Sequence, residues 1–172
     1  TGYRFIVDKK DNIRLYYASQ ADGLWLATDY GKKWEKIAAM PEDYLTFVAQ
    51  LKDGKTLLVG SAGVTTKRSD RLRGYALYVS YDDGKTFTTL WQPKDGEVEG
   101  VKLAGLVPQR YAIDENYVYV TFSVMGKNAY ICELGYSCDG GSVIGGKVVR
   151  YPIASDYTLG QGEDITPSAE AE

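Results

Sequence analysis

The chain repeats one pattern of apolar runs and tight polar turns, and this repetition constrains its fold more than any other feature. Three β-rich runs, at residues 12–19, 54–61 and 116–123, each end in serine and follow a polar turn, and another apolar run precedes each turn. Two apolar runs joined by a few polar residues are typical of a β-hairpin. Each repeat is therefore expected to begin with a hairpin.

Each hairpin is followed by a further predicted strand, and the first two repeats add a fourth strand after an Asp-x-Gly turn. The third strands are expected at residues 23–28, 75–81 and 146–152, and the fourth strands at residues 34–38 and 87–91. The third repeat lacks the turn, so a degenerate fourth strand is expected around Ile165. Four-stranded units of about 40–60 residues are typical of β-propeller blades. We predict an all-β fold of three four-stranded antiparallel blades, at about residues 1–41, 42–92 and 107–167.

The two Asp-x-Gly turns follow a physical logic of their own. Their aspartates are expected to accept hydrogen bonds from backbone N–H groups, and their glycines to adopt positive φ. An aromatic residue then begins the fourth strand and packs against the neighbouring sheet. We interpret these positions as structural rather than catalytic: Asp29, Gly31 and Trp34 in the first turn, and Ser80, Asp82, Gly84 and Phe87 in the second.

Composition argues against several classes of function. The net charge of -3 is not that of a nucleic-acid-binding protein, and no apolar run is long enough to predict a membrane span. The chain contains no histidine, which removes Ser-His-Asp triads and His-ligated metal sites. Neither a metal nor a cofactor is expected, and any catalysis in this segment is expected to use carboxylates.

The two cysteines bear on the compartment in which the protein works. Cys132 and Cys138 are separated by five residues in a glycine-rich stretch. We predict a local disulfide between them, which indicates an oxidising compartment and secretion; two free thiols are the alternative. The first ten residues do not resemble a signal peptide, and the chain lacks an initiator methionine. We therefore expect a processed or excised segment.

Short motifs in the chain resemble those of one enzyme family. Residues 80–87 fit the Asp-box pattern S-x-D-x-G-x-T-W/F at every specified position, and residues 27–34 fit it with Ala for Ser and Lys for Thr. Asp-boxes occur in sialidases, sortilin-type receptors and several glycoside hydrolases. The flanking phrases DGLWLATDYG, VPQRYA and GGKVVRY, with the final EDITP, resemble blades of glycoside hydrolase family 74, the xyloglucanase type.

The resemblance implies a fold and a reaction. Members of this family are secreted, consist of two seven-bladed propellers, and cut β-1,4-glucan backbones between them with an inverting pair of aspartic acids and no cofactor. The three blades here would be part of one such propeller. Asp22 is the one candidate for a catalytic residue, but it lacks the Arg, one Gly and the spacing of the family's R-T-D-x-G-G motif. The catalytic pair is therefore expected outside this segment, and Asp22 in a turn or cleft wall.

The loops indicate where a ligand is expected to bind. Connections between strands two and three, and between blades, are longer than the others and lie on one face, where binding groups are expected. The candidate contacts to a polysaccharide or oligosaccharide are Trp25, Trp91, Gln109, Arg110, Tyr130 and Tyr136. Trp25 and Trp91 are equally compatible with an inter-blade core, and Arg110 with a carboxylate partner. The basic loop at residues 67–73 is interpreted as solvated, with contact to an acidic ligand as the alternative.

Two further readings compete with a hydrolase. A non-catalytic Asp-box propeller that binds a glycan or a protein, as sortilin-type receptors do, is the alternative because no acid/base pair can be assigned. A sialidase is less well supported, because Arg110 is the one arginine expected on an inner strand. Propellers usually contain four to eight blades, and an open arc of three would leave two sheet faces uncovered. We therefore expect further blades, in the same or an associated chain.

Overall fold

The predicted all-β architecture is confirmed by a computed structural model, which describes residues 4–62, 75–91, 97–98, 101–102, 106–125 and 143–167. Three four-stranded antiparallel sheets follow one another, and the strands of each sheet are adjacent in chain order. Each sheet is one blade. The strand bounds are, in blade 1, β1 (Phe5–Val7), β2 (Leu15–Ala18), β3 (Leu24–Thr28) and β4 (Lys33–Lys36); in blade 2, β5 (Leu45–Gln50), β6 (Leu57–Ala62), β7 (Tyr75–Ser80) and β8 (Thr88–Trp91).

Blade 3 follows a small hairpin formed by β9 (Glu97–Val98) and β10 (Val101–Lys102). Its strands are β11 (Leu106–Ile113), β12 (Tyr117–Met125), β13 (Val143–Pro152) and β14 (Glu163–Asp164). The degenerate fourth strand predicted around Ile165 exists, just before that residue, and the Ile165 N–H still donates to the Val148 carbonyl at 2.9 Å. β14 is two residues long: Asp164 pairs with Val149 of β13, and Glu163 pairs with Arg150.

Blade 2 is buried on both faces, because successive side chains of a strand point to opposite sides of the sheet. Val48, Leu57 and Val59 pack with Tyr16 and Leu24 of blade 1. The alternate positions of the same strands pack on blade 3, and the members of that cluster include Phe47, Ala49, Leu58, Val118, Val120 and Phe122. This two-sided burial explains why β5 and β6 read as nearly continuous apolar runs.

The structure corrects one detail of the repeat alignment. The hairpin-closing pairs are Val7 with Leu15, Gln50 with Leu57, and Ile113 with Val118. When residues are counted from these pairs, Ser19 and Ser61 occupy equivalent positions in blades 1 and 2. The equivalent position in blade 3 is Phe122, one residue before Ser123. The serine alignment is therefore wrong for blade 3. Packing sets the register there, since Phe122 must face blade 2.

The tight turns of the blades lie together along one edge, which we name the short-loop edge (residues 8–14, 29–32, 51–56, 81–86 and 114–116). Ion pairs join neighbouring blades there, between Lys10 and Asp83 and between Lys52 and Glu115. The opposite edge, named the long-loop edge, includes residues 19–23 and 37–44. Within the described part of the chain, no helix is long and apolar enough to cross a membrane.

Candidate functional site

The Asp-box of blade 2 is a closed network of hydrogen bonds within one turn. The Ser80 hydroxyl donates to Asp82 Oδ1 (2.8 Å) and accepts from the Gly84 N–H (2.8 Å). The Asp82 carboxylate also accepts from the Thr86 N–H (2.9 Å) and the Thr86 hydroxyl (2.6 Å). Gly84 has φ +85°, a value that a side chain would strain.

These contacts determine the ionisation of Asp82. Hydrogen bonds from the Thr86 hydroxyl, the Thr86 N–H and the Ser80 hydroxyl stabilise the charged form and lower the pKa of Asp82 to about 2. A carboxylate with so low a pKa remains ionised at neutral pH and is a poor general acid. The ionised Asp82 carboxylate is suited to accepting the hydrogen bonds that hold the turn between β7 and β8.

The corresponding turn of blade 1 lacks most of this network. Ala27 and Lys33 stand where blade 2 has Ser80 and Thr86, and the Asp29 carboxylate makes no hydrogen bond to any described residue. In this turn three successive residues adopt left-handed φ values, Asp29 (51°), Tyr30 and Gly31. The Asp29 side chain is exposed on the short-loop edge.

Blade 1 carries a groove of about 430 Å³ on its outer face, the face that points away from blade 2. Four rings line it, and we name it the aromatic groove: Phe5, Tyr17, Trp25 and Trp34, with Ser19 and Asp22 at one end. Phe5 stacks on Tyr17 with the ring centroids 4.5 Å apart, and Tyr17 contacts Trp34 edge-on with the centroids 6.2 Å apart. The sequence alone does not predict this cluster, because the four rings come together only when the strands are paired in register.

Asp22 lies on the long-loop edge and belongs to a surface ion network. Its side chain is 66% exposed, and its Oδ1 lies 3.3 Å from Lys36 Nζ, which is also 3.2 Å from Asp43. Hydrogen bonds to Asp43 and Asp22 raise the pKa of Lys36. The Asp22 carbonyl accepts from Trp25 Nε1 at 2.7 Å. This arrangement orients the turn and the indole, and Lys36 lies between the carboxylates of Asp22 and Asp43.

The other predicted binding residues are dispersed. Trp91 is half-buried and packs edge-on against Phe122 at 4.7 Å, within the cluster between blades 2 and 3. Gln109 and Arg110 are exposed on β11, at an irregularity in its pairing with β12. Trp91 borders a separate groove of about 480 Å³ with Leu90, Tyr151, Leu159, Gly160, Gln161 and Gly162. Trp25 and Trp91 thus line different grooves, one on blade 1 and one beside blade 3.

Several predicted features lie outside the described residues. These are Tyr130, Tyr136, Cys132, Cys138 and the basic loop at residues 67–73. Within the described part of the chain, no group of three or more His, Cys, Asp or Glu side chains is arranged to hold a metal ion.

Comparison with known proteins extends the motif resemblance. A xyloglucanase from a Paenibacillus species is 28% identical over 131 residues, which cover 71% of this chain and 13% of that protein. No family model matches the sequence.

Two solved structures have a similar fold. A GH74 enzyme from Niastella koreensis matches 95% of this chain and 21% of its own, with a TM-score of 0.60 and 24% identity. The GH74 xyloglucanase from Xanthomonas campestris matches 96% of this chain and 22% of its own, with a TM-score of 0.62 and 21% identity. The chain therefore spans a small fraction of each relative. The resemblance to glycoside hydrolase family 74 of the xyloglucanase type, inferred above from short motifs, is confirmed by these comparisons.

Proposed function

We propose that this chain forms three blades of a secreted glycoside hydrolase that cleaves xyloglucan or a related β-1,4-glucan by carboxylate acid/base chemistry. The observation that carries the proposal is the similarity over 131 residues to a xyloglucanase. That relative is named as an enzyme, so the comparison favours a hydrolase over the non-catalytic glycan-binding propeller. Inverting hydrolysis requires two carboxyl groups about 6.5–9.5 Å apart with space for a water molecule.

We place the catalytic pair outside this segment. Asp82 is held in the Asp-box and Asp29 in a turn on the short-loop edge. Asp22 and Asp43 both accept a hydrogen bond from Lys36 in an exposed ion network on the long-loop edge. The segment therefore contributes scaffold and cleft wall rather than the reacting groups, and the remaining blades of the longer protein contribute the acid and the base.

Within the segment, we propose that Gln109 and Arg110 donate hydrogen bonds to sugar hydroxyls. Both are exposed on β11, the strand of blade 3 that packs closest to β5 of blade 2. The irregular pairing of β11 with β12 turns this part of the strand out of a regular ladder, as such irregularities often do near binding sites.

The test is hydrolysis of xyloglucan by the longer protein, measured as release of reducing sugar. Asp22→Asn is expected to leave kcat within about twofold, because the reacting carboxylates lie elsewhere. Gln109→Ala is expected to raise KM about threefold to tenfold, which corresponds to the net free energy of one hydrogen bond. Gln161→Ala is the matched control, an exposed glutamine in the separate groove that Trp91 borders, and it is expected to change neither constant.

Three results would contradict this function. The first is binding of β-glucans without any hydrolysis, which would support the non-catalytic propeller. The second is loss of kcat in Asp22→Asn with unchanged folding, which would place a catalytic residue inside this segment. The third is an equal change of KM in Gln109→Ala and Gln161→Ala, which would remove Gln109 from the binding surface.

A further inference from the structure

The face of blade 1 that packs against blade 2 ends in a set of polar side chains at the short-loop edge. Asp8 follows β1 directly, and its N–H donates to the carbonyl of Arg14, the residue before β2, at 2.9 Å. Tyr16 lies two residues after Arg14, and alternate residues of a strand point to the same side of the sheet. The three side chains therefore share one face, on which Tyr16 belongs to the core between blades 1 and 2.

Three atoms of this set are buried, and none of them has a hydrogen-bond partner among the described residues: Asp8 Oδ2, Arg14 Nε and Tyr16 Oη. The side chains of Asp8 and Tyr16 are fully buried. Arg14 Nη1 lies 3.5 Å from Asp8 Oδ2, so the two charges belong to one cluster. Burial, and then the charge of Asp8, raises the pKa of Tyr16 to about 12, while the charge of Arg14 acts in the opposite direction. Both charges therefore lie near the Tyr16 hydroxyl.

We propose that one water molecule is bound by Asp8 Oδ2, Arg14 Nε and Tyr16 Oη at the interface between blades 1 and 2. Burial of a polar atom without a hydrogen bond is costly, and ordered water commonly supplies the missing partner in folded proteins. Water also fits the mixed charges of this set, because it donates to the carboxylate and accepts from the guanidinium N–H. A cation would be repelled by Arg14, and an anion would be repelled by Asp8.

The positions of Asp8 and Tyr16 have equivalents in blade 2, and those show that the fold itself does not require polar groups there. When residues are counted from the hairpin-closing pairs, Leu51 and Leu58 occupy the two equivalent positions. Both leucines are buried in the core between blades 2 and 3. Hydrocarbon thus fills this place at one interface, whereas the polar atoms at the other interface require hydrogen-bond partners.

Blade 3 shows the alternative to a bound water. Asp114 and Tyr119 occupy the equivalent positions there, and the Tyr119 hydroxyl donates directly to Asp114 Oδ2 at 2.9 Å. In blade 1 the Arg14 guanidinium lies beside the equivalent oxygen, and the Tyr16 hydroxyl has no acceptor among the described residues. The water therefore connects tyrosine to aspartate in blade 1, as the direct hydrogen bond does in blade 3. This site is independent of the proposed function, since none of its residues is proposed to contact the substrate.

The direct test is a crystal structure of this chain, or of the longer protein, at a resolution that shows ordered waters. One density peak is expected at about 2.7–3.2 Å from all three atoms. A direct hydrogen bond between Tyr16 and Asp8, as in blade 3, would overturn the proposal, and so would the lack of a peak. A peak at about 2.0–2.6 Å from oxygen atoms alone would identify a bound cation and would also overturn it.

Urea denaturation of the chain tests the same site in solution, because Tyr16→Phe removes the hydroxyl and leaves the ring. Loss of a hydroxyl that is bonded to water is expected to raise the unfolding equilibrium constant about threefold to tenfold, which corresponds to one hydrogen bond. A hydroxyl without a partner predicts the opposite, because phenylalanine would remove an uncompensated buried polar atom. An unchanged or smaller unfolding constant in Tyr16→Phe would therefore overturn the proposal.

Thr46→Val is the matched control for the loss of a buried hydroxyl. Thr46 Oγ1 is also buried without a hydrogen-bond partner among the described residues, but it lies on β5 at the end opposite to Gln50 and the Asp8 cluster. Its replacement is expected to leave the unfolding constant within about twofold or to lower it. An equal rise in Thr46→Val and Tyr16→Phe would show that the effect is not specific to the three-atom site, and it would also overturn the proposal.

Discussion

Replacing Gln50 by methionine is expected to lower the free energy of unfolding by about 3 kcal/mol. Gln50 is 4% exposed at the end of β5, and its side chain joins two turns of the short-loop edge. Its amide nitrogen donates to Asp8 Oδ1 (2.9 Å) and to the Gly54 carbonyl (3.0 Å), and its amide oxygen accepts from the Lys9 N–H (2.8 Å). Each such bond contributes about 1 kcal/mol net.

Methionine isolates this contribution because it has nearly the length and volume of glutamine. No cavity is formed, and the loss is confined to the three hydrogen bonds. The largest part is expected from Asp8, whose carboxylate is buried and whose second oxygen lies 3.5 Å from the Arg14 guanidinium. Removing the Gln50 donor leaves the buried carboxylate with the Lys10 N–H (3.0 Å) and Arg14 (3.5 Å), so its desolvation is less completely compensated.

The measurement is urea denaturation of the chain at neutral pH, with Gln161→Met as the matched control. Gln161 is exposed, so its replacement is expected to change the free energy of unfolding by less than about 0.5 kcal/mol. A loss of less than about 1 kcal/mol in Gln50→Met, with an unchanged dependence on urea, would refute the reasoning. It would mean that water replaces the amide at the junction of blades 1 and 2.

Three further predictions concern the core and the titrating groups. Leu58→Ala, at a fully buried position between blades 2 and 3, is expected to lower the free energy of unfolding by about 2–5 kcal/mol in the same assay. The pKa of Asp82 in the folded chain is about 2, below its ordinary value near 4, so its stabilising effect is complete above about pH 4 and is lost as pH falls toward 2. Thermal unfolding over this range is expected to show that Asp82→Asn loses less stability on acidification than the unsubstituted chain does. Burial raises the pKa of Tyr16 and Tyr78 to about 12, so the unfolded chain ionises first and stability is expected to fall between about pH 10 and 12. Replacing either tyrosine by phenylalanine is expected to reduce this alkaline loss, measured by urea denaturation at pH 9 and 11.

The strands and turns could be predicted because their signals are local. The turn after β5 and the Asp-box after β7 are each specified within a few residues, by polar side chains and by a glycine that tolerates positive φ, Gly54 and Gly84. Runs of apolar residues then indicate the strands on either side. The fourth strand of blade 3 could be placed only approximately, because its short pairing with β13 depends on Arg150 and Val149 rather than on a turn motif.

The site could not be predicted to the same degree, because it depends on contacts between distant residues. Phe5 and Trp34 line one groove because Tyr17 contacts both, and only strand register brings the three rings together. Gln50 closes an apolar run in the sequence, and nothing local indicates that it reaches Asp8 in the preceding blade. The serine alignment failed in blade 3 for a similar reason, since the packing of Phe122 on blade 2 determines the register.

The two Asp-box turns separate what the backbone requires from what the side chains add. Asp83 N–H donates to the Lys55 carbonyl (3.1 Å), and Tyr30 N–H donates to the Ile13 carbonyl (2.9 Å) at the equivalent place. Both turns thus keep the same backbone anchor to the preceding hairpin, although only Asp82 receives side-chain hydrogen bonds. The backbone anchor and the glycine therefore suffice to form the turn, and the Ser-Asp-Thr network adds rigidity to it. A sequence match to the Asp-box consequently identifies a hairpin between the last two strands of a blade, and the chemistry of the blade must be sought on its other faces.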